Sequence, residues 1–159
     1  MIQNLRMMLA ELQESEGIVN AQLFRAMRYT KYSSEDFPPI ILRHWIGDCE
    51  YFKNKKPLAV IFNEERREEV ITWKETALVL MQDCDTEFHD QLTYMRGKVY
   101  GKQRVLLTGK PDELQVPIEI GEGIYMEAKF DTASLLHVVK RIYYAVGYDF
   151  GDIQIECQM

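Results

Sequence analysis

The clearest pattern of hydrophobic and polar positions lies in the stretch from Gly121 to Cys157. Residues 124–130 alternate apolar and polar side chains, which predicts a strand with one buried face. Asp131 can then cap a helix whose apolar residues recur at spacings of three and four, and Gly147 is suited to end that helix. Residues 153–157 alternate again. We therefore expect a strand, an amphipathic helix and a second strand, with the helix packed on a sheet.

The preceding segment predicts a hairpin and a capped helix. An apolar run at 58–62 fits a strand, and the charged residues 63–69 fit a solvated hairpin tip. Thr72 and Glu75 have the spacing of a capping box, in which each side chain satisfies a free amide of the first helical turn. We therefore expect a helix to begin at Trp73 and to run to about residue 84.

Further elements complete the predicted domain. Asp85 and Thr86 predict the start of a separate helix that ends at Gly97, and residues 103–108 and 115–120 predict two strands joined by a turn. The expected fold class is α+β, with a mostly antiparallel sheet and helices packed on one face.

The first part of the chain has a different, helical pattern. Apolar residues recur at helical spacing over residues 2–12, and Asn20 is a suitable cap for a second helix. The prolines Pro38 and Pro39 predict the start of a third helix, which would carry Ile40, Ile41, His44 and Trp45. The basic residues 53–56 indicate a boundary, so we expect a helical segment over 1–56 and an α+β domain over 57–159.

Charge is distributed unevenly between these two parts. The formal net charge is −6, with about +1 in residues 1–56 and about −7 in residues 57–159. Acidity of this size weakens binding to a nucleic-acid backbone, which depends on counterion release by Lys and Arg. It suits solubility, a basic partner, or no particular role. No apolar run reaches the length of a membrane span, and the first twelve residues do not resemble a signal peptide, so we expect a cytoplasmic protein.

The helical segment leaves a DNA-binding alternative open. Two short helices separated by Gly17 have the outline of a helix-turn-helix. A homodimer is a separate open alternative. The basic residues that would contact DNA are Arg25, Arg28, Lys31, Lys53, Lys55 and Lys56.

Candidate chemistry is sparse along the chain. His44 and Cys49 are spaced like Cys84 and His89, and two such pairs could supply a Cys2His2 zinc set. Five residues along a helix differ by about 140° in direction, so buried thiols and partly exposed histidines are the favoured interpretation. Cys84, His89 and Asp90 form a compact nucleophile set but fall on predicted helix.

Two further patterns bear on enzyme or nucleotide chemistry. Glu127 and Lys129 have the alternation of a nuclease strand, and Gly121-Glu122-Gly123 fits a turn better than a phosphate-binding loop. We expect no catalytic residues, no metal and no cofactor, and keep a nuclease-like enzyme or a nucleotide-binding sponge as an alternative.

Several of these segments resemble one known kind of module. Thr72-Trp73-Lys74-Glu75, Gly123-Ile124-Tyr125-Met126-Glu127 and Gly147-Tyr148-Asp149 are similar to parts of a poorly characterised module of bacterial restriction-like, conflict-system and phage proteins. The resemblance spans residues 58–157. Ala128, Lys129 and Asp131 stand where that module has Thr, Asn and Ser, and Asp131 keeps the capping role.

The resemblance and the acidic charge together give the functional expectation. It is a small non-enzymatic binding or inhibitor protein, encoded by a phage or mobile element, that acts on a host defence protein through an acidic, tyrosine-bearing surface. The residues expected to contact this basic partner are Glu64, Glu65, Glu68, Glu69, Tyr125 and Glu127.

Overall fold

The computed structural model describes residues 40–159, which form one compact unit. The helices predicted before Pro39 lie outside the described residues. In chain order the described elements are β1 (Ile41–Trp45), a 3-10 helix (Cys49–Phe52), β2 (Lys56–Phe62), β3 (Arg66–Glu69), α1 (Trp73–Met95), β4 (Leu107–Thr108), a 3-10 helix (Pro111–Glu113), β5 (Pro117–Gly121), β6 (Ile124–Glu127), α2 (Thr132–Val146) and β7 (Ile153–Gln158).

The strands form two antiparallel sheets. The larger sheet has the order β1-β7-β2-β3, and the smaller has the order β4-β6-β5. In the larger sheet Val60 of β2 lies opposite Ile155 of β7, and both side chains are buried. A single hydrophobic cluster contains side chains from both sheets and both helices. The antiparallel α+β fold class is confirmed, whereas helix packing on one face of a sheet stays a prediction.

The two helices begin where their capping residues indicate. Thr72 Oγ1 accepts the Glu75 amide at 3.1 Å, and Asp131 Oδ1 accepts the Ser134 amide at 2.8 Å. Helix α2 ends at Gly147, whose φ of 81° lies in the left-handed region that favours glycine. The predicted strand, helix and strand at the end of the chain are present, but the first strand ends at Glu127 and not at residue 130.

Helix α1 is longer than predicted. Asp85 and Thr86 do not start a separate helix, because Thr86 Oγ1 donates to the Asp83 carbonyl at 2.6 Å and the helix continues to Met95. A single non-helical residue, Phe88 (φ −122°, ψ 30°), interrupts the helix near the predicted break. The sequence pattern thus predicted a break close to this kink, but the prediction of two separate helices is wrong.

The prediction of a helix after Pro39 is wrong. Residues 41–45 form β1, which pairs with β7 along its whole length and is an edge strand of the larger sheet. Ile41, Arg43 and Trp45 lie on one face of this strand. The compact unit therefore begins at Ile40, and the domain boundary predicted between residues 56 and 57 is too late. Backbone pairing with β7 outweighs a local helical spacing that only four side chains supported.

The strand predicted at 103–108 is also shorter than expected. Strand β4 comprises Leu107–Thr108, and the Leu106 carbonyl next to it accepts the Glu127 amide at 3.0 Å. Residues 99–106 fold back on themselves through a bond of 2.8 Å from the Leu106 amide to the Val99 carbonyl. Within the described residues, no helix combines the length and the apolar character that a bilayer span requires.

Candidate functional site

A cleft of about 410 Å³ lies where the β2–β3 hairpin, the middle of α1 and the segment between α2 and β7 meet. Aromatic and apolar side chains form part of its wall, and charged side chains form the rest. Its lining includes Phe62, Arg66, Asp83, Glu87, Phe88 and Tyr148, together with Glu65, Asp149 and Asp152.

The hairpin turn places Glu65 and Arg66 in the lining. Asn63 and Glu64 both adopt positive φ, 53° and 62°, and the Glu65 amide donates to the Phe62 carbonyl at 3.1 Å. The Asn63 amide donates to the Asp152 carbonyl at 3.1 Å, which joins the hairpin to the segment before β7. The sequence predicted this hairpin, and the turn occupies 63–65, since 66–69 already form β3.

Asp83 is the best-connected carboxylate of the cleft. Arg66 Nη2 donates to one of its oxygens, and the Tyr148 hydroxyl donates to the other. The guanidinium carbon of Arg66 also lies 4.1 Å from the centroid of the Phe62 ring. Burial, with Asp83 as the next contribution, raises the pKa of Tyr148 well above its usual value, so Tyr148 remains a neutral donor.

A cluster of aromatic rings contacts the Tyr148 side chain. The Tyr148 ring lies 4.4 Å from that of Tyr143 and 5.8 Å from that of Phe88, measured between centroids. Tyr143 is fully buried, and its hydroxyl donates to the Leu80 carbonyl at 2.7 Å. The Tyr148 hydroxyl is therefore held by packing as well as by its bond to Asp83.

The charge of the cleft is strongly negative. Five carboxylates against one guanidinium give the lining a formal charge of −4. Within residues 40–159, Asp83 is the one lining carboxylate that forms an ion pair with a basic side chain, namely with Arg66. The other four carboxylates, Glu65, Glu87, Asp149 and Asp152, are thus available to a cation from outside this part of the chain.

Of the residues predicted to contact a partner, only one lies in the cleft. Glu64, Glu65, Glu68 and Glu69 are all exposed on the hairpin, but only Glu65 lines the cleft. Tyr125 is half-buried on β6, a strand of the other sheet.

Glu127 is fully buried, so its prediction as a contact residue is wrong. Its carboxylate accepts the Gln115 amide at 2.9 Å, the Val116 amide at 2.8 Å and Arg104 Nη1 at 3.1 Å. Burial alone would raise the pKa of Glu127, but these donors outweigh it and hold the pKa below its ordinary value. The carboxylate therefore stabilises the fold. Because β6 ends at Glu127, the predicted nuclease alternation with Lys129 is not formed.

The residues of the DNA-binding alternative divide into two groups. Arg25, Arg28 and Lys31 lie outside the described residues. Lys53 pairs with Glu50 at 2.6 Å, Lys55 donates to the Tyr51 carbonyl at 2.6 Å, and Lys56 is exposed at the start of β2. Of these three lysines, Lys53 and Lys55 thus have contacts within the chain.

The candidate zinc ligands have other contacts. His44 stacks on Tyr51 with 3.6 Å between ring centroids, and His89 Nδ1 lies 2.7 Å from Asp85 Oδ1. Cys49 and Cys84 are buried. Across residues 40–159, no group of three or more His, Cys, Asp or Glu side chains is placed to hold a metal ion. His89 pairs with Asp85, so the proposed arrangement of Cys84, His89 and Asp90 is not formed.

Burial predicts inert thiols. It raises the pKa of Cys49 and Cys157 and, with help from neighbouring carboxylates, raises that of Cys84 to about 12. We expect Ellman's reagent to detect almost no thiol in the native protein and all three thiols in guanidinium chloride. A rapid reaction of one equivalent without denaturant would contradict this assignment.

Sequence reasoning missed the centre of the cleft. Arg66 and Tyr148 are separated from Asp83 by 17 and 65 residues, so no local motif connects the three. The one available signal was the spacing of Asp83 and Glu87, which places both carboxylates on one face of α1.

Comparisons of the chain with protein-family models, with curated proteins and with solved structures give no match.

Proposed function

We propose that this protein is a non-enzymatic binding protein that holds a basic segment of a partner protein in the cleft around Asp83. The observation that carries the proposal is the combination of a concave site, aromatic walls and four carboxylates without a basic partner in residues 40–159. Carboxylates of this kind attract a cationic side chain, and the Phe62, Phe88 and Tyr148 rings can contact its apolar stem.

The acidic surface around the hairpin supports the same partner chemistry. Glu64, Glu68 and Glu69 are exposed on the hairpin that supplies Glu65 to the cleft, and residues 63–69 have a formal charge of −2, whose field adds to that of the cleft. Such a field increases the rate of encounter with a basic surface and disfavours nucleic acid. An origin in a phage or mobile element, and a host defence protein as the inhibited partner, stay predictions.

Charge reversal in the cleft tests the proposal. The probe is an acetylated, amidated pentapeptide, Gly-Arg-Gly-Arg-Gly, titrated into the ¹⁵N-labelled full-length protein at low salt. We expect amide shifts at Glu65, Glu87 and Asp149, and the double variant Glu87→Lys, Asp149→Lys should bind at least about tenfold more weakly because two attractions become repulsions.

The matched control reverses two exposed carboxylates away from the cleft, Asp112→Lys and Glu119→Lys. It has the same net charge as the cleft variant, so equal weakening in both would show a general charge effect and reject the cleft. Tight, salt-sensitive binding of duplex DNA by the wild-type protein in a gel shift would favour the DNA-binding regulator instead.

A further inference from the structure

Arg66 already places one cation in the cleft. It donates to Asp83 and stacks on Phe62, as described above, while Tyr148 holds the second Asp83 oxygen. A carboxylate beside an aromatic face suits a planar guanidinium, which can donate and stack at once, better than a compact ammonium. The contact therefore indicates which cation fits this part of the cavity.

We propose that the cleft is selective for an arginine of the partner and that Arg66 is its internal competitor. This inference rests on the proposed function. In the unbound protein the Arg66 guanidinium occupies Asp83 and Phe62, and the partner's guanidinium takes the same place when Arg66 moves out. Arg66 thus lowers the affinity of the cleft for the partner, because the partner must displace it from Asp83.

The position of Arg66 makes this exchange feasible. Its side chain is 53% exposed, whereas that of Asp83 is 17% exposed, so the guanidinium can leave without opening the core. A second carboxylate is within reach, because Arg66 Nε lies 3.9 Å from Glu68 Oε1. An exposed ion pair is worth at most about fivefold in an equilibrium constant. A partner with several basic residues can overcome that competition.

Tyr148 keeps the Asp83 carboxylate in place when Arg66 moves away from it. Its hydroxyl stays bonded to Asp83, and its ring is fixed against Tyr143 and Phe88. The incoming guanidinium therefore meets an oriented acceptor at every stage of the exchange.

The test compares two variants that remove the same charge from the same strand. Arg66→Gln vacates Asp83, whereas Arg67→Gln removes a guanidinium that donates to Glu156 at 2.7 Å. We expect Arg66→Gln to bind the arginine pentapeptide about fivefold more tightly than wild type, and Arg67→Gln to change the affinity less than about twofold. The matched peptide Gly-Lys-Gly-Lys-Gly should gain less from Arg66→Gln than the arginine peptide.

Each outcome decides between the two proposals. If the wild-type protein binds the arginine peptide but both variants bind it equally, internal competition is wrong and the proposed function stands. Equal gains for both peptides would reject arginine selectivity. If neither wild type nor variants bind either peptide, the proposed function itself is wrong. Arg66→Lys, which keeps the charge and competes less well for a planar site, repeats the comparison should Arg66→Gln fail to fold.

Discussion

Replacing Glu127 with alanine is expected to lower the free energy of unfolding by about 3–5 kcal/mol. The change leaves the Gln115 and Val116 amides and the Arg104 guanidinium without the acceptor that they share in the core. Urea unfolding monitored by circular dichroism measures the loss.

The control for Glu127 is Glu119→Ala on the neighbouring strand β5, where the side chain is exposed. It should change the unfolding free energy by less than about 0.5 kcal/mol. A loss in Glu127→Ala no greater than in this control would show that the buried carboxylate does not stabilise the fold.

The pH dependence follows from the sign of the pKa shift. The folded-state pKa of Glu127 lies below its ordinary value of 4.5, so its contribution to stability is present above that pH. The contribution is lost as the pH falls through the lower, folded-state pKa. We therefore expect the stability difference between wild type and Glu127→Gln to be full at neutral pH and to shrink below about pH 4.

Elements with local signals were predicted from the sequence alone. The Thr72 and Asp131 caps and the left-handed Gly147 depend on residues within one helical turn, and all three are present in the structure. Alternation over 153–157 also sufficed for β7, because its side chains 153, 155 and 157 are buried.

Elements that depend on distant pairing could not be predicted in the same way. Strand β1 pairs with β7, and the Arg43 to Glu156 contact across that pair spans 113 residues. A helix and a strand both fit the sequence of Ile40, Ile41, His44 and Trp45. Only the pairing with β7 decides for the strand. Glu127 was misassigned for a related reason, since alternation marked it as polar-facing while three donors from other segments hold it in the core.

The candidate site is a tertiary feature in the same sense. Acidic charge and tyrosine content indicated a basic partner, but the cleft forms only where the hairpin, α1 and the segment before β7 converge. The proposed positive charge of the ligand therefore follows from composition, whereas the proposed place of binding and the proposed competition by Arg66 depend on the fold.

Replacing Phe52 with alanine is expected to lower the unfolding free energy by about 3–5 kcal/mol and the midpoint of thermal unfolding by about 10 °C. The ring is fully buried, and its centroid lies 5.9 Å from His44 and 5.6 Å from Trp73. It therefore joins the segment that follows β1 to the first turn of α1. Differential scanning calorimetry of the full-length chain measures the effect.

The matched control is Tyr144→Ala, which removes an aromatic ring that is 78% exposed on α2. It should change the unfolding free energy by less than about 0.5 kcal/mol. The comparison also tests where the folded unit begins. If residues 40–56 were a separate segment outside the α+β domain, Phe52→Ala would unfold no earlier than the control, whereas a shared core requires the whole unit to melt earlier in a single transition.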